Sequence, residues 1–503
     1  MSLRQTYTKL TSLVLKAHYL RGINGVLEWD QQVVMPPKSS DVRGEQMAVI
    51  SGMLHDLETD SSINEYLQEL EKSDLNELNE YERKNVYLIR KDYDKKVKVP
   101  KNLVEECSKL SSTGFQCWVE AKKESNFSKF APILKRWIEL RKEIAALVHP
   151  KLPVYDALLD DYEPELTTDQ IQSVFDEVKK VLVPLIAEIR KNGRAVDCSI
   201  LKDTVTGFDV KKQEELNKRV ATEVAQFSFD TGRLDVSAHP FTIGISTTDV
   251  RITSRFRNDE FLQGLAGTIH ESGHALYEAQ LNPDHLGQPV SQPLSMGFHE
   301  SQSLFWERHV LLSKSFWEKQ WNNIRSTFPH IRDSPPEEIY QAANALDFDN
   351  LIRVEADEVT YPLHIILRFE IEKGLFDGSI NVDDLPTIWN QKMKDYLGIE
   401  PTNDSTGVLQ DVHWSSGAFG YFPTYTLGAM YAAQLASLPQ IDEWIKKAEY
   451  GEICKWLGEN VHKKGSVTLN ANKLLEEATG EKLNASHFVK YLTEKYNDVY
   501  KLK

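Results

Sequence analysis

The 503-residue chain has only four cysteines, Cys107, Cys117, Cys198 and Cys454, too few and too scattered for a disulfide framework and without metal-ligand spacing. They are expected to be reduced, and buried or inert. No apolar run reaches the ~18 residues of a membrane helix, and the first thirty residues lack the basic start and apolar core of a signal peptide. A cytoplasmic protein is therefore expected, and the sequons at Asn126, Asn403 and Asn484 would then be without consequence. Positive charge is in deficit: 59 Lys and Arg against 75 Asp and Glu leave a net charge of −16. That balance argues against a nucleic-acid groove and against an anionic membrane surface. Linkers, internal repeats and low-complexity tracts are also missing, so the chain reads as one domain over 1–503.

What is there is a globular composition, 41% apolar and 27% charged. Apolar residues at three- and four-residue spacing predict helices near 3–20, 41–57, 77–95, 101–123, 129–147 and 168–192, separated by Pro36-Pro37, Pro100, Pro153 and Pro164. The acidic stretch 56–82 and the basic stretch 90–101 read as solvated helix faces. Around 234–256 β-branched residues alternate with period two, which predicts a short hairpin. Helices resume near 299–326, 336–347, 354–373, 383–396, 424–436, 439–456 and 485–501. The fold class expected is mainly α with one small β-sheet.

The chemistry is concentrated in 267–277, Gly-Thr-Ile-His-Glu-Ser-Gly-His-Ala-Leu-Tyr. On a helix His270 and His274 lie on one face, so two imidazoles can grip one zinc ion while Glu271 reaches an activated water. A helix from about 259 to 280 is predicted, with Asn258 as cap, Asp259 and Glu260 at its positive start, and Pro283 beyond its end. A catalytic zinc takes three protein ligands and leaves one position open. A third histidine on the same helix is excluded, because the positions for an extended motif hold Tyr277 and Gln280. Glu278, one turn beyond His274, would more naturally orient a ligand from outside. Glu300, near the start of the next predicted helix, is assigned as third ligand, with Glu307 as its competitor. The predicted hairpin precedes the zinc helix, where an edge strand would offer backbone groups to an extended peptide or would merely brace the helix.

The chain resembles the carboxypeptidase Taq family of metallocarboxypeptidases over essentially its whole length. The resemblance is carried by His239-Pro-Phe241, Asp249-Val-Arg-Ile-Thr253, the zinc motif, His299-Glu-Ser-Gln-Ser303, Ile352-Arg-Val-Glu-Ala-Asp357 and Gly407-Val-Leu-Gln-Asp-Val-His-Trp414, which follow the family's order. Trp29-Asp30 and the block 155–164 also resemble family blocks and read as structural or cleft-wall elements. The resemblance implies two helical lobes around a deep cleft, a fold similar to neurolysin and angiotensin-converting enzyme, and a homodimer. On that division 1–200 forms the N-terminal lobe and cleft wall, and 201–503 the catalytic part.

The function expected is a zinc carboxypeptidase that removes single residues from peptides with a free C-terminus. Cobalt can substitute, since His and Glu ligands suit either ion. Glu271 is the expected general base. His413 and Tyr421, with Tyr425 as a weaker third, are candidate donors to the tetrahedral oxyanion. Arg353 is first choice for the substrate carboxylate and Arg251 second, because a guanidinium fork matches that planar anion; His239 is assigned to substrate binding with them. The competing reading of Arg353 is an ion pair with Glu355, Asp357 or Glu358 nearby in sequence. An oligopeptide endopeptidase of the same metal chemistry and a catalytically silent peptide-binding protein are the alternatives.

Overall fold

The computed structural model describes residues 2–502. Nine helices come first: α1 (Leu3–Val33), α2 (Ser40–Glu58), α3 (Ser61–Glu71), α4 (Glu80–Lys98), α5 (Lys101–Glu124), α6 (Phe127–Val148), α7 (Val154–Leu159), α8 (Thr168–Asn192) and α9 (Val210–Glu223). Strands β1 (Gly232–Val236), β2 (Thr242–Ser246) and β3 (Asp249–Ser254) lead into α10 (Leu262–Ala279) and α11 (Met296–Leu304). The remaining helices are α12 (Lys314–Thr327), α13 (Pro336–Ala343), α14 (Tyr361–Asp377), α15 (Leu385–Leu397), α16 (Pro423–Ala436), α17 (Pro439–Lys447), α18 (Tyr450–Asn460), α19 (Ala471–Thr479) and α20 (Ala485–Tyr500). The protein is mainly α with one small sheet, as expected.

The departures have local causes. Helix α1 runs on past residue 20 through Gly22 and Gly25, the residues that let β2 pack against it: a Cβ at Gly22 would lie 3.2 Å from the Ile245 carbonyl, and one at Gly25 3.3 Å from Ile243. The helix expected over 299–326 is interrupted by a π-helical turn, Phe305–Leu311. That expected over 439–456 breaks at Ala448, whose φ of 58° ends α17. Helix α14 starts at Tyr361 and not at 354, with Pro362 in its first turn, where a proline is tolerated. The polar α9 and the short α19 carry too few apolar positions to have been read as helices.

The predicted hairpin exists as β2 and β3, but it is part of a three-stranded sheet, because β1 pairs with β3 in parallel and the order is β1-β3-β2. One face of the sheet buries Leu234, Val250 and Ile252 with Ala275 of α10. Side chains from adjacent strands, Arg233 and Arg251, both lie 4.5 Å from the Trp29 ring of α1. Helices α1, α3 and α4 enclose a small core of their own around Leu10, Leu67 and Val86, whereas residues from Leu103 to Tyr500 share the main core. The apolar cores therefore divide near residue 100.

Helix α10 begins at Leu262 without a side-chain cap. Asn258, the expected cap, instead accepts from the Phe208 N–H through its carbonyl, and the Glu260 carboxylate meets the free Gln263 N–H at 3.3 Å. The C-terminal helix is tied in by a buried ion pair: Glu358 accepts from Lys495 at 2.7 Å and from the hydroxyls of Tyr491 and Tyr496 at 2.8 and 3.2 Å. Replacing Lys495 with Ala leaves a buried carboxylate without its cation, and the expected loss is about 3–5 kcal/mol. Thermal unfolding should show a large drop in midpoint for Lys495→Ala and a much smaller one for Glu358→Gln combined with Lys495→Met.

Candidate metal centre

Helix α10 places His270 and His274 one turn apart, with ring centroids separated by 5.0 Å. Glu300 on α11 brings Oε2 to 3.9 Å from His270 Nε2 and 3.5 Å from His274 Nε2. Two ligands about 2.1 Å from a tetrahedral zinc stand about 3.4 Å apart, so the three side chains are close to metal-holding geometry already. Among the described residues, no other group of three His, Cys, Asp or Glu side chains has this property.

Glycine makes the approach of the helices possible. A Cβ at Gly273, between His270 and His274, would lie 2.4 Å from the Gln302 carbonyl of α11, and one at Gly428 of α16 would lie 2.9 Å from the Glu300 Cβ. Any side chain at either position would push α11, and Glu300 with it, out of place.

Each histidine is held by its outer nitrogen. His270 Nδ1 meets Glu307 Oε2 at 2.6 Å, so Glu307, the competitor for third ligand, stands behind His270. His274 Nδ1 lies 2.6 Å from His299 Nδ1, and His299 Nε2 lies 2.9 Å from Glu278 Oε1. With His274 presenting Nε2 to a metal, its Nδ1–H donates to His299, whose own proton then sits on Nε2 and goes to Glu278. The orienting role expected of Glu278 is thus exerted through His299. Glu271 is buried, and its Oε2 accepts from the Thr242 hydroxyl of β2 at 2.6 Å.

Burial disfavours charge on both histidines. For His270 the hydrogen bond to Glu307 and the charges of Glu300, Glu307 and Glu271 outweigh it and hold the imidazolium well above its ordinary range. For His274 burial prevails and favours the neutral ring. Glu300 is half-buried, yet His274, His270 and Arg308 keep its carboxylate ionised. A neutral imidazole and an ionised carboxylate are the forms that bind a metal, and the excess of carboxylates around His270 is what a divalent cation would offset. The donor set fits a metal ion.

A cavity of about 270 Å³ opens over these residues, lined by Phe241, Thr242, Glu271, His274, Glu300, Tyr421 and Tyr425 among others. His413 does not line it. Its Nε2 stands 3.4 Å from the Tyr425 hydroxyl, and its Nδ1 is buried without a partner. Burial, with Arg353 and Arg368 against Asp411, lowers the His413 imidazole to about 4. Arg353 is 5% exposed and lies 5.1 Å from the Tyr425 ring. Its Nε and Nη2 each meet Asp411 Oδ1 at 2.8 Å, and Nη1 donates to Tyr361 at 2.7 Å. Arg368, fully buried, holds the other Asp411 oxygen at 2.6 and 2.7 Å. The pairing with Glu355, Asp357 or Glu358 is not formed; Glu358 belongs to Lys495. Arg251 pairs with Asp249 at 2.9 Å, His239 is exposed, and neither lines the cavity.

Residues 9–496 match the carboxypeptidase Taq (M32) metallopeptidase family. The chain belongs to that family. It is 38% identical to carboxypeptidase 1 of Bacillus subtilis, with 99% of each chain covered, and 38% identical to thermostable carboxypeptidase 1 of Thermus thermophilus, over 99% of this chain and 100% of the relative. The structure superimposes on metallocarboxypeptidase 1 of Trypanosoma cruzi with a TM-score of 0.92 at 37% identity, covering 98% and 100% of the two chains. The protein is a metallocarboxypeptidase of the M32 family.

Several residues that shape this carboxypeptidase's site carried no signal that could be read in advance. Thr242, His299, Asp411 and Arg368 meet their partners across long stretches of sequence, and only the blocks containing His299 and Asp411 hinted at them. Removing the ring behind His274 leaves all three candidate ligand atoms in place, so His299→Ala should weaken metal binding by ~10–100-fold without abolishing it. Competition with a chromogenic chelator measures the effect.

Proposed function

We propose that this carboxypeptidase releases single residues from the free C-terminus of peptides, with one zinc ion per chain held by Nε2 of His270 and His274 and by Glu300. Cobalt would suit the same ligands. Bound there, the metal supplies Lewis acidity and a water activated near neutral pH. Glu271, on the cavity wall, would act as the general base, taking a proton from the attacking water and giving it to the leaving amine. Thr242 holds Glu271 Oε2, and Glu271 lines the cavity. Tyr421 donates to the developing oxyanion from the cavity wall. His413, behind Tyr425, acts on the reaction through that hydroxyl.

The observation that carries the exopeptidase reading is the charge behind Tyr425. Arg353 and Arg368 share the single carboxylate of Asp411, which leaves one buried cation in excess. An uncompensated buried charge is costly, and a substrate's terminal carboxylate would offset it. Arg353, the outer of the two, is assigned to that contact ahead of Arg251 and His239. Strand β2 lies at an edge of the sheet and starts at Thr242, so an extended peptide paired along it would be led towards Glu271.

We also propose that the whole chain acts as one metallopeptidase domain in the cytoplasm and forms a homodimer. The four thiols are all free, and no helix among the described residues is long and apolar enough to cross a membrane. Helix α2 buries none of its residues and exposes Val42, Val49 and Met53 on one face, a surface suited to a second copy.

Incubating one peptide with the protein and reading products by mass should show a ladder losing one residue at a time from the C-terminus, stopped by a chelator. Arg353→Ala and amidation of the substrate should each remove most activity, and the two losses should not add, because they delete the same contact. Full additivity would take Arg353 away from the carboxylate. Glu271→Gln should keep its metal while turnover falls by at least ~100-fold; normal turnover would remove Glu271 from the mechanism.

A further inference from the structure

We propose that the segment 155–164 sets the distance between the two halves of the site, with Glu163 the positioning residue for the helix that carries Glu300 and Glu372 the positioning residue for the loop that carries His413 and Tyr421. The inference rests on the ligand and donor roles proposed above.

The segment comprises α7 and the turn after it, and it is itself anchored. Asp156 Oδ1 accepts from the Thr168 N–H at the start of α8 at 2.7 Å, and Asp160 pairs with Lys91 of α4 at 2.9 Å. On one side it grips the start of α11. The Tyr162 carbonyl accepts from the Met296 N–H at 3.0 Å. Glu163 accepts from the Gly297 N–H at 2.6 Å, from the Ser295 hydroxyl at 3.1 Å and from Tyr431 of α16 at 3.0 Å. These contacts use N–H groups that a helix start leaves without partners, and they complement its dipole. Glu300 follows within a turn, so an axial shift of α11 is a shift of Glu300. The fit leaves no slack, since a Cβ at Gly297 would lie 2.6 Å from Glu163 Oε1.

On the other side the same segment grips the 413–421 loop. Tyr155 donates to Glu372 at 2.7 Å, and Glu372 also accepts from the Trp414 indole at 2.8 Å and the Gly420 N–H at 2.9 Å. Gly420 has a φ of +80°, and a Cβ there would lie 2.9 Å from the Leu158 backbone. The Tyr162 ring packs edge-on against Tyr421 with centroids 5.0 Å apart. One short segment thus touches the beginning of the ligand helix and the ring and backbone of the facing loop. Burial pushes both carboxyls up to about 7 against the donors around them, a cost that ordinary apolar packing at either place would not carry.

The two roles separate in measurement. Glu163→Ala and Glu372→Ala are made in the full chain, and zinc affinity by chelator competition, kcat and KM on a short peptide, and thermal midpoint are read for each. Glu163→Ala should weaken zinc by about tenfold or more, and Glu163→Gln, which keeps an acceptor for the Gly297 N–H, should restore most of it. Glu372→Ala should leave zinc affinity within about twofold and lower kcat by about tenfold or more with a smaller change in KM. General destabilisation would move both readouts together in both variants, and that outcome, or unchanged zinc affinity in Glu163→Ala, overturns the proposal. Should Glu163→Ala not fold, Tyr431→Phe removes one of its three donors, and zinc affinity unchanged in that variant overturns the proposal equally. Glu300→Ala keeps the two readings apart. Normal zinc in Glu300→Ala means the ligand assignment itself is wrong, whereas loss there with none in Glu163→Ala defeats only the positioning role.

Discussion

The arrangement of the site depends on how closely α11 is pressed between α10 and α16. Gly273 and Gly428 lie at the two crossings, and neither leaves room for a methyl group. Interiors packed at crystal-like density do not deform gradually, so a ligand helix wedged in this way has one position and not a range of them. The short separations between Glu300 and the two histidines, and the contacts of Glu307 and His299 with the outer ring nitrogens, follow from that position.

Around the cavity the charges are sorted. Glu271, Glu300 and Glu307 gather about His270 on one side, while Arg353 and Arg368 outnumber Asp411 on the other. The tyrosines 421 and 425 stand between them with their rings 5.3 Å apart. Each half is unbalanced by itself, and in opposite senses. A divalent cation on one side and a carboxylate on the other would bring both to balance, which is the charge pattern a metallocarboxypeptidase has to accommodate.

Much of this was legible in the sequence, and what was not has a common cause. The helix of His270 and His274 could be read because the two residues need only helical spacing to share a face, and Glu300 because a Gly- and Pro-free stretch follows a punctuated loop. Helix α8 was expected at 168–192 and is found as Thr168–Asn192. Contacts between distant parts of the chain were not legible. The competing reading of Arg353 paired it with acids two to five residues away, yet its ion-pair partner is Asp411, 58 positions on. Asn258 has the residue type of a cap, but the helix starts four positions later, at Leu262. The strand β1 was hidden because a parallel partner leaves no hairpin turn to recognise. Gly22 and Gly25 of α1 gave no sign in the sequence of their use, which is to let a strand lie against that helix.

The double-arginine cluster has a consequence for how this protein answers its surroundings. Salt screens exposed charges over about 8–10 Å of water but acts weakly on charges buried inside the fold. A guanidinium also keeps its proton throughout the acid range, and Asp411, though buried, is held ionised far into acid by the two arginines beside it. Neither ionic strength nor ordinary acidity can therefore switch off the positive cluster behind Tyr425. The histidine side rests on burial instead: it keeps the His274 ring neutral below the ordinary imidazole range, so that ring takes up a proton only further into acid, while the arginine side stays as it was.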